Sequence, residues 1–226
     1  MKKTDIVLVG GGGHAKVVYG TLLRLGAWNI IGYTDIEDKK IPGLKYLGTD
    51  EILKDLFKTV KHAAVTVGHM KSYELRDVLY RKLKGIGFSL PAITAKSAVV
   101  MQNVKVGEGT FIGEQSYVGP DVRIGVMSIV NTGAVVEHES EIGNFVHVSI
   151  NATLAGNTAV GNGSFVGMGS SVVNGVSIGK EVIVVAGAVV RKRVKDESLV
   201  YGNPCKIITN YQQRAHTGRG HIPAGS

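Results

Sequence analysis

The chain has 226 residues, a formal net charge of +8 and one cysteine, Cys205. A lone cysteine excludes a disulfide framework within the chain and suits a reducing compartment, and no stretch approaches the roughly 18 apolar residues that a membrane span needs. The basic balance admits polyanions, yet an aromatic content of 6% and scattered lysines argue against a dedicated nucleic-acid surface, so phosphorylated small molecules are the better candidate anion.

Met1-Lys2-Lys3 leads into an apolar run of only Ile6 to Val9 before glycines begin. The run is too short for the core of a signal peptide, and a cytoplasmic protein is expected. It reads as a strand, followed by Gly10-Gly11-Gly12-Gly13-His14-Ala15-Lys16 and by Val17, Val18, Leu22, Leu23 and Leu25 in helical rhythm. Gly10, Gly12 and Ala15 satisfy G-x-G-x-x-A, a pattern that lets a phosphate approach the amides at a helix start. A second strand near Asn29 to Tyr33 ends at Asp35, about twenty residues beyond the loop, where an acid would meet a ribose hydroxyl. Thr49-Asp50-Glu51 is expected to cap a short helix running to Phe57. Ala63 to Val67 is a third strand ending at Gly68-His69, and Lys71 to Leu83 is an amphipathic helix with Leu75, Val78, Leu79 and Leu83 on one face. With Pro91 as the boundary mark, residues 1–92 read as a small α/β half-Rossmann unit. It has too few strands for a whole dinucleotide, which favours a single nucleotide over a nicotinamide cofactor; the alternative is that the glycines only make a tight turn.

Beyond that boundary, every sixth residue from Val100 through Ile112, Val136 and Val148 to Val190 is aliphatic, sixteen in succession. Small or β-branched residues such as Thr110, Ser116, Ser128 and Ala134 keep a second fixed phase. Neither the 3.6 period of a helix nor the alternation of a strand gives a six; an all-β hexapeptide parallel β-helix does. Three hexads then make one triangular coil of 18 residues with the aliphatics inside, and residue i + 18 lies directly above residue i, about 4.8 Å away. Residues 93–208 are expected to form this domain with a C-terminal cap, Val194 to Lys206 covering the strand edges left unpaired at the solenoid end. Arg191, Lys192, Arg193 and Lys195 cluster there, either as a solvated face or as a phosphate site. The polar tail 209–226 is expected to be disordered.

The solenoid carries two histidines, His138 and His147, and one acidic cluster, Glu137, Glu139 and Glu141. His138 follows the inward Val136 by two places, where a hexad turns a corner, so its imidazole should point outward. A carboxylate that takes one ring N–H makes the other nitrogen a stronger base, which is the arrangement of a general base; the alternative is an exposed corner histidine without a role. By the same arithmetic Gly156 lies over His138 and Ser149 over Asn131. His147 stands between Ile129 and Phe165 in an outward column that is therefore apolar and marks an interface or a ligand wall. His138 and His147 are half a coil apart and face away from each other, so if both serve one site they come from different subunits of a closed cyclic oligomer.

The run Asn131-Thr132-Gly133-Ala134-Val135-Val136-Glu137-His138-Glu139, with His147-Val148-Ser149, Leu154-Ala155-Gly156-Asn157, Gly202-Asn203-Pro204 and the N-terminal Gly12-Gly13-His14, resembles the sugar acetyltransferases of the left-handed β-helix superfamily. Within them it is similar to the enzymes that N-acetylate nucleotide-linked 4-amino-4,6-dideoxyhexoses and to the sialic acid O-acetyltransferases. The resemblance extends to about Ile208. It implies left-handed coils, an exception to the right-handed crossover rule, acetyl-CoA as co-substrate without a metal, and a homotrimer with active sites between subunits. On it, His138 matches the catalytic base and Glu139 its acidic partner, His147 the histidine that contacts the acetyl thioester, and Asn131 a substrate-positioning residue. The Gly156 N–H matches a donor to the thioester oxygen, Met168 and Ala186 fall on the acetyl-CoA path, and Gly12, Gly13, His14, Asp35 and Gly68 match nucleotide-binding positions. The family often has an acidic pair where this chain has Asp35-Ile36. The function so implied is transfer of acetyl from acetyl-CoA to the 4-amino group of a nucleotide-linked 4-amino-4,6-dideoxy sugar, with sialic acid or other sugar O-acetylation as the alternative. A zinc site of the carbonic anhydrase type needs three histidines where the solenoid has two, and an ice-binding prism needs ranks of outward threonines where these positions are mixed and charged.

Overall fold

The computed structural model describes residues 3–209 and Tyr211. The apolar run becomes β1 (Thr4–Val9), the middle strand of a parallel sheet with β2 (Trp28–Thr34) and β3 (His62–Val65) on either side. Both faces of β1 are covered, which is why it is an unbroken run rather than an alternating one. Ile6 and Leu8 pack on the side of α1 (Gly13–Leu25), while Val7 and Val9 pack on the side of α2 (Leu53–Leu56) and α3 (Glu74–Ile86). Gly26, with φ +72, ends α1 by donating its N–H to the Leu22 carbonyl.

The helices depart from expectation in ways that have physical causes. The buried stripe of α1 is Ala15, Val18, Thr21 and Leu22, and Val17 and Leu23 face out. Thr49 makes no side-chain cap; the segment opens as a 3-10 turn (Asp50–Ile52) whose Asp50 carboxylate accepts from the Thr34 hydroxyl at 2.6 Å. The helix α3 begins at Glu74 rather than Lys71, and its buried face is Arg76, Leu79 and Leu83, leaving Leu75 and Val78 exposed. Arg76 sets that rotation: the two terminal nitrogens of its buried guanidinium donate to the carbonyls of Val65, Val67 and Met127, while its Nε is buried without a partner among the described residues, and the side chain becomes the anchor of the face.

From Ile93 the chain winds into a parallel β-solenoid with three faces of eight, six and five strands among the described residues. Coil stacks on coil in the 18-residue register, for example Val136 opposite Leu154, with Glu137 N–H to Leu154 O at 2.9 Å. The inward aliphatics from Ile112 to Val190 form one continuous core, whereas in the first coil Val106 is only partly buried against it and Val100 is exposed. A β-carbon at Gly161, just past an inward aliphatic, would stand 2.6 Å from the main chain of the next coil, which explains glycine at that phase. At the far end Leu199–Tyr201 pairs in parallel with Ile183–Val184 and Lys206–Ile208 folds back antiparallel upon it, so the eight-stranded face ends on a hairpin. Tyr211 is buried and donates its N–H to the Glu197 carbonyl at 2.8 Å, so this residue of the segment expected to be disordered is docked on the cap; residues 210 and 212–226 lie outside the described ones. Among the described residues no helix is long and apolar enough to cross a membrane.

The outward column of the eight-stranded face, Ile93, Phe111, Ile129, His147 and Phe165, is buried because the α/β unit docks on it. Phe111 and Ile129 join the cluster of α1 and β1, and the corner residues Met127 and Phe145 join that of α3. The apolar column marks an interface internal to the chain. The rotation of α3 is open to test: Leu83→Ala is expected to cost about 2–5 kcal/mol in urea unfolding, whereas Leu75→Ala stays within about 0.5 kcal/mol; equal costs would return the helix to the face read from its spacing.

Candidate active site

His138 sits in the turn between the strands Val135–Val136 and Glu141–Ile142, at the corner of the six- and five-stranded faces, with its side chain half exposed. Glu139 follows in the left-handed region at φ +57, and its carboxylate lies 3.1 Å from His138 Nδ1. With the carboxylate accepting the Nδ1 proton, Nε2 is left as the basic nitrogen. A β-carbon at Gly156 would overlap the imidazole, so the close stacking of this ring on the next coil requires glycine there. The flanking amides are taken, Ala155 N–H by Val172 O at 3.0 Å and Asn157 N–H by His138 O at 2.8 Å. The Gly156 N–H has no acceptor among the described residues. A base and an uncommitted amide donor thus stand one coil apart on the same corner.

His147 lies on the other side of the prism, under the α/β unit. Its Nδ1 is 2.8 Å from the carbonyl of His69, and its Nε2 is 3.2 Å from Asn131 Nδ2. Its ring meets Phe165 edge-on at 5.2 Å and His69 at 5.5 Å. His14 belongs to the same seam: it packs edge-on against Phe111 at 5.2 Å, its Nε2 sealed without a partner. Arg76 holds the loop after β3 from beneath. Burial lowers the pKa of His147 to about 4, with the Arg76 charge adding to the fall and the bond to His69 opposing it. Burial likewise takes His14 and His69 to about 3, each lowered further by neighbouring charges that include Arg76. Arg76 itself is pushed down to about 10 and remains a cation.

The glycine loop opens beside this seam. Gly10 turns at φ +107 with Val67 against it, and Gly12, the N-cap of α1, and Gly13 are exposed. Asp35 accepts the Gly11 N–H at 2.6 Å and the Ile36 N–H at 2.7 Å, so it fixes the loop as well as standing at the position expected to meet a ribose. Gly68 is exposed, within 3.7 Å of His14 from where its β-carbon would be. Met168 and Ala186 are exposed and stacked on the corner that follows the eight-stranded face, in one column with Ile150, and Gly187 N–H bonds Met168 O at 2.9 Å.

The predicted residues therefore fall into two groups. Gly12, Gly13, His14, Asp35, Gly68, Asn131 and His147 gather at the junction of the two units, with Met168 and Ala186 along the adjoining corner, while His138, Glu139 and Gly156 form a separate corner. Two residues of the junction were not anticipated. His69 follows the singled-out Gly68 directly, but nothing in its spacing shows that its carbonyl reaches His147; Arg76 reads as a solvent-facing charge on a helix. A groove of about 1380 Å³ runs along the five-stranded face past Lys105, Arg123 and Lys180 to Arg193 and Lys195 of the terminal basic cluster, and it includes none of the residues matched to catalysis, substrate or acetyl-CoA. Among the described residues no group of three His, Cys, Asp or Glu is placed to hold a metal ion.

A half-Rossmann unit docked on a hexapeptide solenoid is the architecture of sugar acetyltransferases, and comparison with known proteins agrees. Residues 5–83 match the family described as the PglD N-terminal domain. PerB from Caulobacter crescentus, solved with CoA and GDP-perosamine, is 36% identical over 90% of this chain and 97% of its own, with a TM-score of 0.85. The acetyltransferase domain of PglB from Neisseria gonorrhoeae, solved with acetyl coenzyme A, is 29% identical over 92% of this chain and all of its own, with a TM-score of 0.86. WeeI from Acinetobacter baumannii shares the fold at a TM-score of 0.80 and 23% identity, over 91% of this chain and all of its own. The chain belongs to the hexapeptide-repeat sugar acetyltransferases with a PglD-type N-terminal domain.

Two outcomes check the geometry. Gly156→Ala, which forces the His138 ring aside, is expected to lower acetyl transfer on the order of 10²-fold with the circular dichroism unchanged; full activity would dissociate the stacking from the chemistry. The three buried histidines titrate near 6.5 in the unfolded chain but only at about 3 to 4 when folded. Their stabilising contribution is complete above pH 6.5 and is lost as the pH falls towards 4, because the unfolded chain alone takes up protons in that window. Melting temperature followed from pH 7.5 to 4.5 should drop below 6.5, and a flat profile down to 5 would contradict the burial.

Proposed function

We propose that this protein transfers the acetyl group of acetyl-CoA to the 4-amino group of a nucleotide-linked 4-amino-4,6-dideoxy sugar. The observation that carries the reading is the His138–Glu139 pair beneath the free Gly156 N–H, on a chain whose relatives include enzymes solved with acetyl coenzyme A or with GDP-perosamine. In the proposed reaction the amine lone pair attacks the thioester carbon while His138 Nε2 takes the ammonium proton. Glu139 holds the Nδ1–H and stabilises the imidazolium, and the Gly156 N–H donates to the oxyanion as it forms. Collapse expels the CoA thiolate, to which the imidazolium returns its proton. No acyl-enzyme is needed, because both substrates are held together. Cys205 lies in the cap hairpin and plays no part.

In this reading residues 1–92 hold the nucleotide sugar, through the amides of Gly12 and Gly13, His14, Asp35 and Gly68, and residues 93–208 carry the transfer. The junction and the His138 corner are half a coil apart in one chain, so the complete site is formed between subunits of a homotrimer. Asn131 and His147 of one chain, with Met168 and Ala186 along the acetyl-CoA path, then face His138, Glu139 and Gly156 of the next. The cytoplasm, where acetyl-CoA is at hand, is the proposed location.

The test is a substrate panel. UDP-, GDP- and dTDP-linked 4-amino sugars assayed beside sialic acids should show one nucleotide amino sugar acetylated, and His138→Ala should reduce its turnover about 10²- to 10⁴-fold. Activity of the variant within a few-fold of wild type would remove His138 as the base, and acetylation confined to sialic acids would replace N- by O-transfer.

A further inference from the structure

The hydrogen bonds around His147 have only one self-consistent direction. The carbonyl of His69 can only accept, so the Nδ1 atom 2.8 Å away must carry the hydrogen. The Oδ1 of Asn131 already accepts the Thr132 N–H at 2.8 Å, which turns its Nδ2 towards His147 Nε2 at 3.2 Å. Nδ2 only donates, so Nε2 is the acceptor. The ring is neutral at physiological pH, since burial and the Arg76 charge hold it at about 4, and a neutral imidazole has one N–H, here spent on His69. The second hydrogen of Asn131 Nδ2 has no partner among the described residues, and the side chain is half-buried at the junction.

We infer that the His69 carbonyl, His147 and Asn131 form a hydrogen-bond chain of fixed direction, in which His147 is locked as the Nδ1–H tautomer and the free N–H of Asn131 is the donor presented to an acceptor oxygen of the ligand. His147 is then a positioning residue. The resemblance gave it a contact with the acetyl thioester; with its one N–H spent on His69 it has none to donate there, and it aims the Asn131 amide instead. The α/β unit takes part through one main-chain atom, because the loop that Arg76 clamps carries the His69 carbonyl. The groups that bear on the charge of His147 come from three elements: Arg76 on α3, His69 on the preceding loop and His14 on α1. Only the identity of the ligand oxygen rests on the acetyl-transfer reading; the direction of the chain does not.

The full chain labelled with ¹⁵N-histidine decides the direction. Long-range ¹H–¹⁵N spectra from pH 8 to 5, with His147 assigned by its loss in His147→Ala, should show a protonated Nδ1 and a bare Nε2 throughout. An Nε2–H form, or averaging of both, overturns the inference. Asn131→Asp sets a carboxylate against the bare Nε2, so His147 should take up a second proton at pH values where the wild-type ring is neutral; an unchanged titration also overturns it. The donor half is read separately from the Asn131 side-chain amide. A shift with acetyl-CoA but not CoA assigns the acyl carbonyl, and a shift with the nucleotide amino sugar assigns a sugar oxygen. No shift with either, or an Asn131→Asp enzyme with kcat/KM within about threefold of wild type rather than reduced tenfold or more, removes the donor. If the wild-type chain acetylates no amino sugar at all, the proposed function fails while the spectra still decide the tautomer.

Discussion

Everything in this molecule hangs on one geometric constraint, the 18-residue coil closed by three equal hexads. Because each coil is the template for the next, a residue's neighbours are set by position alone. Main-chain hydrogen bonds between coils leave no room for a β-carbon at the phase of Gly161 or, over the His138 ring, at Gly156. The same constraint that packs the aliphatic core therefore exposes one amide donor next to one base. In a solenoid the chemistry is a local exception in a repeating pattern, and the exception at this corner is a histidine followed by a glutamate in the left-handed conformation.

The second organising contact is the seam between the two units. A helix end and a glycine loop give the α/β unit an anion-compatible edge, but the unit is held against the solenoid by apolar residues together with polar groups that burial makes unusual. Arg76 donates to three carbonyls and, among the described residues, to no carboxylate, its Nε is buried without a partner, and three imidazoles are kept neutral around it. Such a seam is buried and directional, with one guanidinium cation among neutral imidazoles.

How much of this was legible in the sequence differs between the two halves for a physical reason. The solenoid was readable residue by residue, down to Gly156 over His138 and the column Ile129, His147, Phe165, because a strict period converts sequence distance into spatial distance. The α/β unit was readable only as strands, loop and helix. The buried face of its helix α3 was read correctly at Leu79 and Leu83 but missed at Leu75, Val78 and Arg76, because an apolar-stripe argument treats arginine as solvent-facing and has no means of seeing three carbonyls from two other segments converge on Arg76. The same blindness hid His69, whose contribution is a main-chain atom and leaves no trace in side-chain pattern. The apolar column was identified as an interface, but which partner covered it could come only from the fold: the partner is the chain's own N-terminal unit. Asp35 shows a third case, in which a residue picked out as a ligand contact turns out to hold the glycine loop as well.

The central claim is that the base and the substrate junction of one working site belong to different chains. Mixing subunits tests it most directly: His138→Ala and Asn131→Ala chains, each expected to be strongly impaired as a pure assembly, are refolded or co-expressed together in equal amounts. A site shared between neighbours predicts that activity returns to about a quarter of wild type, because random assembly pairs an intact corner with an intact junction at that frequency. A mixture as inactive as its parents would place both halves of the site within one chain and contradict the account.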